Sequence, residues 1–255
     1  GTIKSSNLCA EIVEWSGPDE TAVCNLASIC LPKFVNGDEI DYEKLKNVAG
    51  MLTYNLNNVI DKSFYPIVEA KRSNMRHRPI GIGTQGLADV FMKLKVPFDS
   101  EKAREINKNI FETIYFGSLS ASCKLAEKDG AYESYDGCPI SKGVFQFDMW
   151  DVKPSERWNW ESLKSKIMKY GLRNSLCLAQ MPTASTSQIM GNSESIDALT
   201  SNLFNRRTSS GEFTCVNKYL IHDLQEMGMW NKDTMNHLLK YGFGSSVTGT
   251  TGPTG

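Results

Sequence analysis

Short apolar runs alternate with segments of helical periodicity along most of this chain, and that alternation constrains its fold more than any other feature of the sequence. The apolar runs, which predict buried strands, are 22–31, 79–83 and 176–179. The segments with helical spacing are 42–61, 85–94, 103–125, 161–170, 217–227 and 232–241. Strands that alternate with helices favour an α/β fold with a parallel sheet or barrel.

Composition and charge exclude several classes of protein. The 255 residues include 28 Lys and Arg against 29 Asp and Glu, 40% are hydrophobic and 22% are charged. These values are typical of a globular protein and exclude a disordered or collagen-like chain. A net charge of -1 gives no reason to expect a nucleic-acid partner. No apolar stretch approaches the roughly 18 residues of a membrane span, so no membrane partner is expected.

Cysteine and histidine usage indicates a reducing compartment. The seven cysteines are an odd number and form no C-x-x-C pair. The three histidines, at positions 77, 222 and 237, have no zinc-ligand spacing, so we expect no metal site. Such thiols are most often small buried hydrophobic side chains of intracellular proteins, and a cytoplasmic location is expected.

The two ends of the chain differ in character. Residues 1–243 carry apolar, patterned sequence and are predicted to form one folded domain. Residues 244–255 are rich in Gly, Thr and Ser and have no apolar face, so we expect a flexible tail.

A glycine motif lies between the second predicted strand and the helix after it. Gly81, Gly83 and Gly86 match the G-x-G-x-x-G pattern of dinucleotide-binding proteins. An NAD-dependent oxidoreductase is therefore one hypothesis. The acidic residue that such proteins place about 20 positions further on is missing. Glycines also occur at such turns because a strand and a helix approach closely there.

Asn7, Cys9 and Glu11 form a candidate reactive group. In an extended segment, alternate residues project to the same side, so an amide, a thiol and a carboxylate would converge. This set could perform sulfur chemistry with proton transfer. The alternative is an edge segment with a buried cysteine and two solvated polar side chains. Cys24 lies in a predicted strand and, on its position alone, is interpreted as a core cysteine.

The remaining candidates are less specific. Cys30, Cys123, Cys138, Cys177 and Cys215 are interpreted as core or incidental residues. The segment Pro182–Ser187 follows a predicted strand and leads into a short helix, so its hydroxyl residues and free N–H groups are suited to a phosphate. Ordinary helix capping is the alternative there. Trp150, Trp158 and Trp160 are expected to pack a long loop against the body of the domain.

Taken together, these segments resemble the large catalytic subunit of class I ribonucleotide reductase, in its eukaryotic and large-DNA-virus form. The matching stretches are Ser6–Ile12, Ala22–Ser28, Arg76–Gly83, Gln85–Asp89, Met181–Thr186 and Ser209–Phe213. They follow the order of the family from the first residues to about Trp230. The match is therefore more specific than any single motif.

The resemblance implies part of a ten-stranded α/β barrel with a central finger loop that carries the radical cysteine. Cys9 resembles the thiyl-radical residue that abstracts the C3′ hydrogen of the substrate ribose. Glu11 resembles the base at the 3′-hydroxyl, and Asn7 the amide that holds the substrate hydroxyls. Cys24 resembles one of two reducing cysteines that become a disulfide. The residues that resemble the loop gripping the substrate diphosphate are Thr183, Ala184, Ser185 and Thr186.

The resemblance also implies partners. A metal-containing small subunit supplies the radical, thioredoxin or glutaredoxin supplies electrons, and this segment itself binds no cofactor. The second reducing cysteine of the family falls before Gly1. The amino-terminal nucleotide-binding regions and the carboxy-terminal tyrosine and cysteine pairs also have no counterpart here. We therefore expect the chain to need these missing parts of the large subunit and to have no turnover alone.

Three function hypotheses remain open from sequence. The chain is part of a ribonucleoside-diphosphate reductase, an inactive remnant that acts as a binding or regulatory partner, or an oxidoreductase built on the glycine motif. Intact Asn7, Cys9, Glu11 and Cys24 favour the first hypothesis over the second. A truncation, a gene divided into separately translated pieces and an interrupted gene are all compatible with the edges of the sequence.

Overall fold

The computed structural model describes residue 3 and residues 6–241, which divide into two compact units, Gly1–Asp197 and Ala198–Gly255. Each unit is described by itself. Among the described residues, no helix combines the length and the apolar character that crossing a membrane requires. The predicted tail at 244–255 lies outside the described residues, and the domain boundary at 243 stays a prediction.

The first unit contains four strands and seven α-helices within its described residues. The strands are β1 (Leu26–Cys30), β2 (Val35–Asn36), β3 (Glu39–Ile40) and β4 (Gly81–Gln85). The helices are α1 (Tyr42–Lys62), α2 (Val68–His77), α3 (Leu87–Lys93), α4 (Glu101–Asp129), α5 (Gln146–Met149), α6 (Trp160–Tyr170) and α7 (Thr186–Met190). Short 3₁₀ turns occupy Leu31–Phe34 and Pro139–Lys142.

The sheet that underlies the site is parallel. β1 pairs with β4 from Leu26 opposite Gly81 to Cys30 opposite Gln85. On the other side of β4, Leu178 forms a parallel bridge to Ile82. The predicted strand at 176–179 is therefore only a bridge, although Ile82 N–H donates to the Cys177 carbonyl at 2.9 Å. Every residue of β4 is buried, as expected for a central strand covered on both faces.

The glycines of β4 are explained by close packing. A Cβ on Gly81 would lie 2.6 Å from Leu26 Cδ2, and one on Gly83 would lie 2.6 Å from the Ala179 carbonyl oxygen. Gly86 has a φ of +79° and would place a Cβ 2.7 Å from Pro32. The motif therefore allows neighbouring segments to approach β4, and this steric role accounts for all three glycines without a dinucleotide.

Two long helices cover the sheet and pack on each other. The Asp41 side chain caps α1 and the Ser100 side chain caps α4, in each case by accepting a backbone N–H three residues on. Small residues line the contact between the helices. Thr53 and Ser118 share a buried hydrogen bond of 2.7 Å there. A Cβ on Gly117 would lie 2.5 Å from the Lys46 carbonyl oxygen, so the helix backbones nearly touch.

A buried arginine joins several elements of this unit. Arg78 is 1% exposed, ends α2 in the left-handed conformation and donates to Asn57 and Asp61 on α1. The Arg78 hydrogen bond, opposed by partial burial, lowers the pKa of the Asp61 carboxyl. The Arg78 carbonyl accepts from Asn174 Nδ2, and Asn174 Oδ1 accepts from Ser122 on α4. The network fixes where β4 begins, two residues after Pro79.

A second apolar cluster forms where α6 and the aromatic loop meet α4. Trp158 and Trp160 are buried, and both stack or make edge contacts with Phe116. The prediction that these tryptophans pack the loop is confirmed. It is wrong for Trp150, which is 69% exposed.

The second unit has a hairpin followed by two helices. β5 (Leu203–Thr208) pairs antiparallel with β6 (Gly211–Val216), and α8 (Lys218–Glu226) and α9 (Lys232–Tyr241) follow. Both helices were predicted from the sequence, whereas the hairpin was not. Most of its side chains are exposed, so neither strand shows the alternation that marks a half-buried strand.

The helix contact yields a test with a matched pair of glycines. Gly117→Ala places a Cβ against the Lys46 carbonyl, whereas Gly50→Ala meets only ordinary contacts at 3.5 Å and beyond. Alanine gains about 1 kcal/mol of helix propensity over glycine at either site. We expect Gly50→Ala to be neutral or stabilising and Gly117→Ala to destabilise by about 1–3 kcal/mol. Urea unfolding measures both; equal effects would contradict the close contact.

Candidate active site

The candidate site begins with a reversal of the chain between Ser16 and Ala22. Gly17 and Glu20 form an antiparallel bridge, and the Ala22 N–H donates to Ser16 Oγ at 2.9 Å. Thr21 N–H donates to the Glu69 carbonyl of α2. The reversal lays the segment before it alongside the residues that lead into β1.

Glu20 anchors this reversal. Its side chain is 5% exposed and accepts from Arg76 Nη1 at 2.5 Å, and it contacts His77 Nε2 at 2.7 Å. The other ring nitrogen of His77 lies 2.6 Å from Ser134 Oγ. Burial alone would raise the pKa of Glu20, but the bonds from Arg76 and His77 outweigh it and lower the pKa. The reversal is thus held to α2 by a buried charged group that sequence reasoning missed.

Asn25 fixes the other side of the site. Its side-chain amide donates to Asn74 Oδ1 at 2.7 Å and to the Pro79 carbonyl at 2.9 Å. The backbone carbonyl of Asn25 accepts from the Gly81 N–H. Cys24 therefore stands at a fixed place just before β1. The interpretation of Cys24 as a core cysteine is wrong: strand pairing begins only at Leu26, and Cys24 is exposed.

Asn7, Cys9 and Glu11 lie near Cys24, although not through an extended segment. The chain turns at Leu8 and Cys9, Ala10 has a φ of 57°, and Ala10 N–H donates to the Asn7 carbonyl at 3.2 Å. The premise of an extended segment is therefore wrong. The turn nevertheless brings all three side chains close enough to act on the Cys24 thiol.

A cavity of about 180 Å³ lies between the two sides. Its lining consists of Ser6, Asn7, Ile12, Glu14, Ser16, Ala22 and Cys24. Drug-sized ligands occupy pockets of roughly 300–1,000 Å³, so this cavity admits only part of a nucleotide.

Acidic side chains dominate the electrostatics of the cavity. Partial burial of its sulfur, followed by the charges of Glu14 and Glu11, raises the pKa of the Cys24 thiol, and the Asn7 amide opposes that rise. Burial and then the Glu11 charge raise the pKa of Glu14 to about 7. Glu14 was missed from sequence because a single glutamate carries no local pattern; its place beside Cys24 exists only in three dimensions.

The hydroxyl-rich loop lies elsewhere. Thr183 is buried, and its Oγ1 accepts from Ser195 N–H at 2.8 Å, whereas Ala184, Ser185 and Thr186 are exposed. Ser185 precedes α7, and no side-chain hydrogen bond from it caps the helix among the described residues. Ordinary capping by Ser185 is therefore absent, which leaves the exposed hydroxyls available to a ligand.

The strands separate the two groups. Cys24 precedes β1, while Thr183 follows the Leu178 bridge and so lies beyond the carboxyl end of β4. The residues around Cys24 therefore lie at one end of these strands. The hydroxyl-rich loop lies at the opposite end.

The other predictions on single residues have mixed outcomes. Cys123 and Cys177 are buried as interpreted, whereas Cys30, Cys138 and Cys215 are half-buried. In the described part of the chain, one group has the geometry of metal ligands: His222, Asp223 and Glu226, of which His222 and Glu226 are exposed on α8. No further observation links that group to an ion.

Comparisons with known proteins found a matching family model and several similar proteins. Residues 1–252 match the family model described as "Ribonucleotide reductase, barrel domain". The chain is 56% identical over 245 residues to the ribonucleoside-diphosphate reductase large chain 2 of Saccharomyces cerevisiae, covering 94% of this chain and 28% of the relative. It is also similar to the large subunits of Monkeypox virus (56% over 239 residues, 94% and 31%) and Arabidopsis thaliana (54% over 259 residues, 94% and 32%). The chain thus spans 28–32% of these curated relatives.

The site predicts an order of thiol reactivity. Cys9 is exposed on its turn, while a raised pKa lowers the thiolate fraction of Cys24, so iodoacetamide at pH 7.5 should modify Cys9 before Cys24. Cys123 and Cys177 should react only after unfolding. Mass spectrometry of the digested chain measures each site, with the urea-unfolded chain as control. Faster labelling of Cys24 than of Cys9 would contradict this environment.

The Glu20 anchor predicts a pH dependence of stability. Glu20→Gln should lower the free energy of unfolding by about 1–3 kcal/mol at pH 7, because charged hydrogen bonds are lost. A lowered pKa means that this stability is present above the pKa of the unfolded chain and is lost as the pH falls through the lower folded value. The difference from the wild type should therefore shrink below about pH 4.

The matched control is Glu133→Gln. Glu133 also pairs with Arg76, at 3.2 Å, but its side chain is 71% exposed, so its loss should cost less than about 0.5 kcal/mol. Urea unfolding across the pH range measures both variants. A Glu20→Gln effect as small as that of the control would refute the anchor.

Proposed function

Because the chain belongs to the ribonucleotide reductase barrel-domain family, we propose that it forms the part of a catalytic large subunit that holds the radical thiol and one reducing thiol. The reaction is the reduction of ribonucleoside diphosphates to 2′-deoxyribonucleoside diphosphates. The observation that carries this proposal is that Asn7 and Cys24 line one cavity, with Glu11 and Cys9 near enough to influence the Cys24 thiol.

Each residue takes a role suited to its chemistry. Cys9 holds the thiyl radical and abstracts the C3′ hydrogen; an S–H bond and a ribose C–H bond are comparable in strength, so the transfer is reversible. Glu11 accepts the proton of the 3′-hydroxyl, and Asn7 hydrogen-bonds the ribose hydroxyls. Cys24 is one of the two thiols that supply electrons.

The overall step balances with these groups. The 2′-hydroxyl leaves as water after it gains a proton. Two electrons and two protons come from Cys24 and a second thiol, which form a disulfide. The hydrogen that Cys9 removed returns to C3′ at the end, so the radical is regenerated. The net change is substrate and dithiol to deoxy product, disulfide and water.

The hydroxyl loop is assigned to the diphosphate. The exposed Ser185 and Thr186 and the neighbouring backbone N–H groups are suited to phosphate oxygens, and the buried Thr183 supports the loop through Ser195. The substrate would lie along the parallel strands, with the diphosphate at their carboxyl end and the ribose toward Cys9. This arrangement agrees with a cavity near Cys24 that is too small for a whole nucleotide.

The proposal includes a larger assembly. The parallel strands described here would belong to a ten-stranded α/β barrel, and the turn at Cys9 to its central finger loop. The rest of the large subunit would complete the barrel and supply the second thiol. A metal-containing small subunit would generate the radical, and thioredoxin or glutaredoxin would reduce the disulfide. A cytoplasmic site of action fits thiols that must stay reduced.

Reconstitution tests the proposal. The chain is mixed with the missing parts of a related large subunit, a radical-bearing small subunit, a ribonucleoside diphosphate and a dithiol, and deoxy product is measured. We expect turnover by the mixture and none by the chain alone. Cys9→Ala should lower turnover by at least about a thousandfold, because no other group can replace the radical thiol.

Cys215→Ala is the control variant, since Cys215 belongs to the second unit and is not one of the residues that line the cavity, and it should leave turnover unchanged. Turnover that survives Cys9→Ala would refute the assignment of the radical. A folded complex without turnover would favour the inactive remnant. Added NAD should neither bind to the chain nor change the rate, because close packing already accounts for the glycines of the motif.

A further inference from the structure

Glu14 occupies a position that the proposed reaction does not yet use. It lines the cavity that also contains Asn7 and Cys24. It also lines a neighbouring cavity of about 160 Å³, together with His77 and Ser73 of α2. Glu14 thus lies between the cavity that contains Cys24 and α2, the helix that anchors the chain reversal.

One oxygen of its carboxyl group is buried without a hydrogen-bond partner. Among the described residues, Glu14 Oε1 is inaccessible and has no hydrogen-bond partner, and the same is true of Glu11 Oε2. An ionised carboxylate in such a place is costly. Two neighbouring carboxyls in a poorly solvated site do not both ionise readily, so one of them retains a proton. Burial and the Glu11 charge give that role to Glu14, whose pKa rises to about 7.

The groups that face Glu14 leave it free to exchange this proton with a thiol. On the cavity side these are Glu11, Cys24 and, beyond them, Cys9. On the α2 side His77 is the titratable group, and both of its ring nitrogens are already engaged, by Glu20 and by Ser134. Glu14 therefore shares a cavity with Cys24, while the His77 ring is committed to the anchor.

We propose that Glu14 donates the proton that Cys24 takes up when the disulfide of the reaction is reduced. This inference rests on the proposed function, in which Cys24 becomes oxidised in each turnover. Glu14 acts at the sulfur and does not contact the substrate.

Reduction of the disulfide proceeds through two thiol–disulfide exchanges. A thiolate of an external dithiol attacks the sulfur bonded to Cys24, the S–S bond breaks, and its electron pair remains on Cys24 Sγ. Glu14 transfers its proton to that sulfur and becomes a carboxylate. The second thiol of the reductant then loses its proton and closes the reductant's own disulfide, which releases the other protein sulfur as a thiol. Glu14 regains a proton from water.

The cavity makes such a donor useful. A thiolate leaves a disulfide more slowly when its conjugate thiol has a high pKa. The Cys24 thiol has a raised pKa, because its sulfur is partly buried and lies near two carboxyls. Release of an anion there would add a second or third negative charge to one small volume. Proton transfer from Glu14 neutralises the sulfur as the bond breaks.

The test needs neither substrate nor small subunit. In a chain that carries Cys9→Ser and Cys215→Ser, Cys24 is converted to its methyl disulfide, and mass spectrometry verifies the site. Cationic cysteamine and anionic mercaptoethanesulfonate then release Cys24, and each rate is divided by the thiolate concentration. Two reductants of opposite charge separate proton donation from simple repulsion by a carboxylate.

We expect the normalised rate to fall on the order of tenfold between pH 6 and pH 8 with both reductants, as Glu14 loses its proton. Glu14→Gln should be slow and independent of pH over this range, and Glu14→Asp should restore the fall in part. Glu39→Gln, an exposed carboxyl on β3, should behave as the parent chain.

A fall only with the anionic reductant would reduce the role of Glu14 to a field effect and overturn the proposal. The same profile in Glu14→Gln would assign the titration to another group and would also overturn the proposal. Should Glu14→Gln not fold, a flat profile of the parent chain would be decisive in the same way. Loss of turnover in the reconstitution would leave these rates unaffected, so the two proposals fail separately.

Discussion

The burial of the Arg78 guanidinium is the constraint on which the first unit depends. A buried cation must be paired, and removal of one partner leaves an uncompensated charge that costs several kcal/mol. Its partners Asn57 and Asp61 lie on α1, and its carbonyl accepts from Asn174. These segments can therefore meet in only one arrangement. That arrangement sets the start of β4, and β4 in turn fixes Asn25, so the place of Cys24 follows from a charge that does not line the cavity.

Much of the helical framework could be predicted from sequence, because apolar stripes are local patterns. α1, α4 and α9 lie where the spacing predicts them, and Gly130 ends α4. Strand limits were less predictable. The apolar run at 22–31 pairs only from Leu26, since pairing depends on β4 and not on the run itself. α2 and the exposed hairpin were missed because neither presents a clear apolar face.

The candidate site shows the same division between local and tertiary information. Asn7, Cys9 and Glu11 could be chosen from their residue types, yet the reasoning from an extended segment was wrong, and a turn brings them to Cys24 instead. Glu14 and Glu20 could not be chosen. Arg76 and His77 lower the pKa of Glu20 against the effect of burial, whereas burial and Glu11 raise the pKa of Glu14. Only the fold distinguishes these two identical side chains.

The exposure of the turn at Leu8 and Cys9 limits when a radical can form on Cys9. Leu8 is fully exposed, and Cys9 beside it faces solvent. A sulfur radical in contact with water and dissolved thiols would be quenched before it met a ribose. On the proposed function, the radical is safe only after another surface has covered this leucine. An incomplete or loosely assembled subunit would leave a radical on Cys9 exposed to solvent. Nucleotide reduction could therefore begin only after assembly.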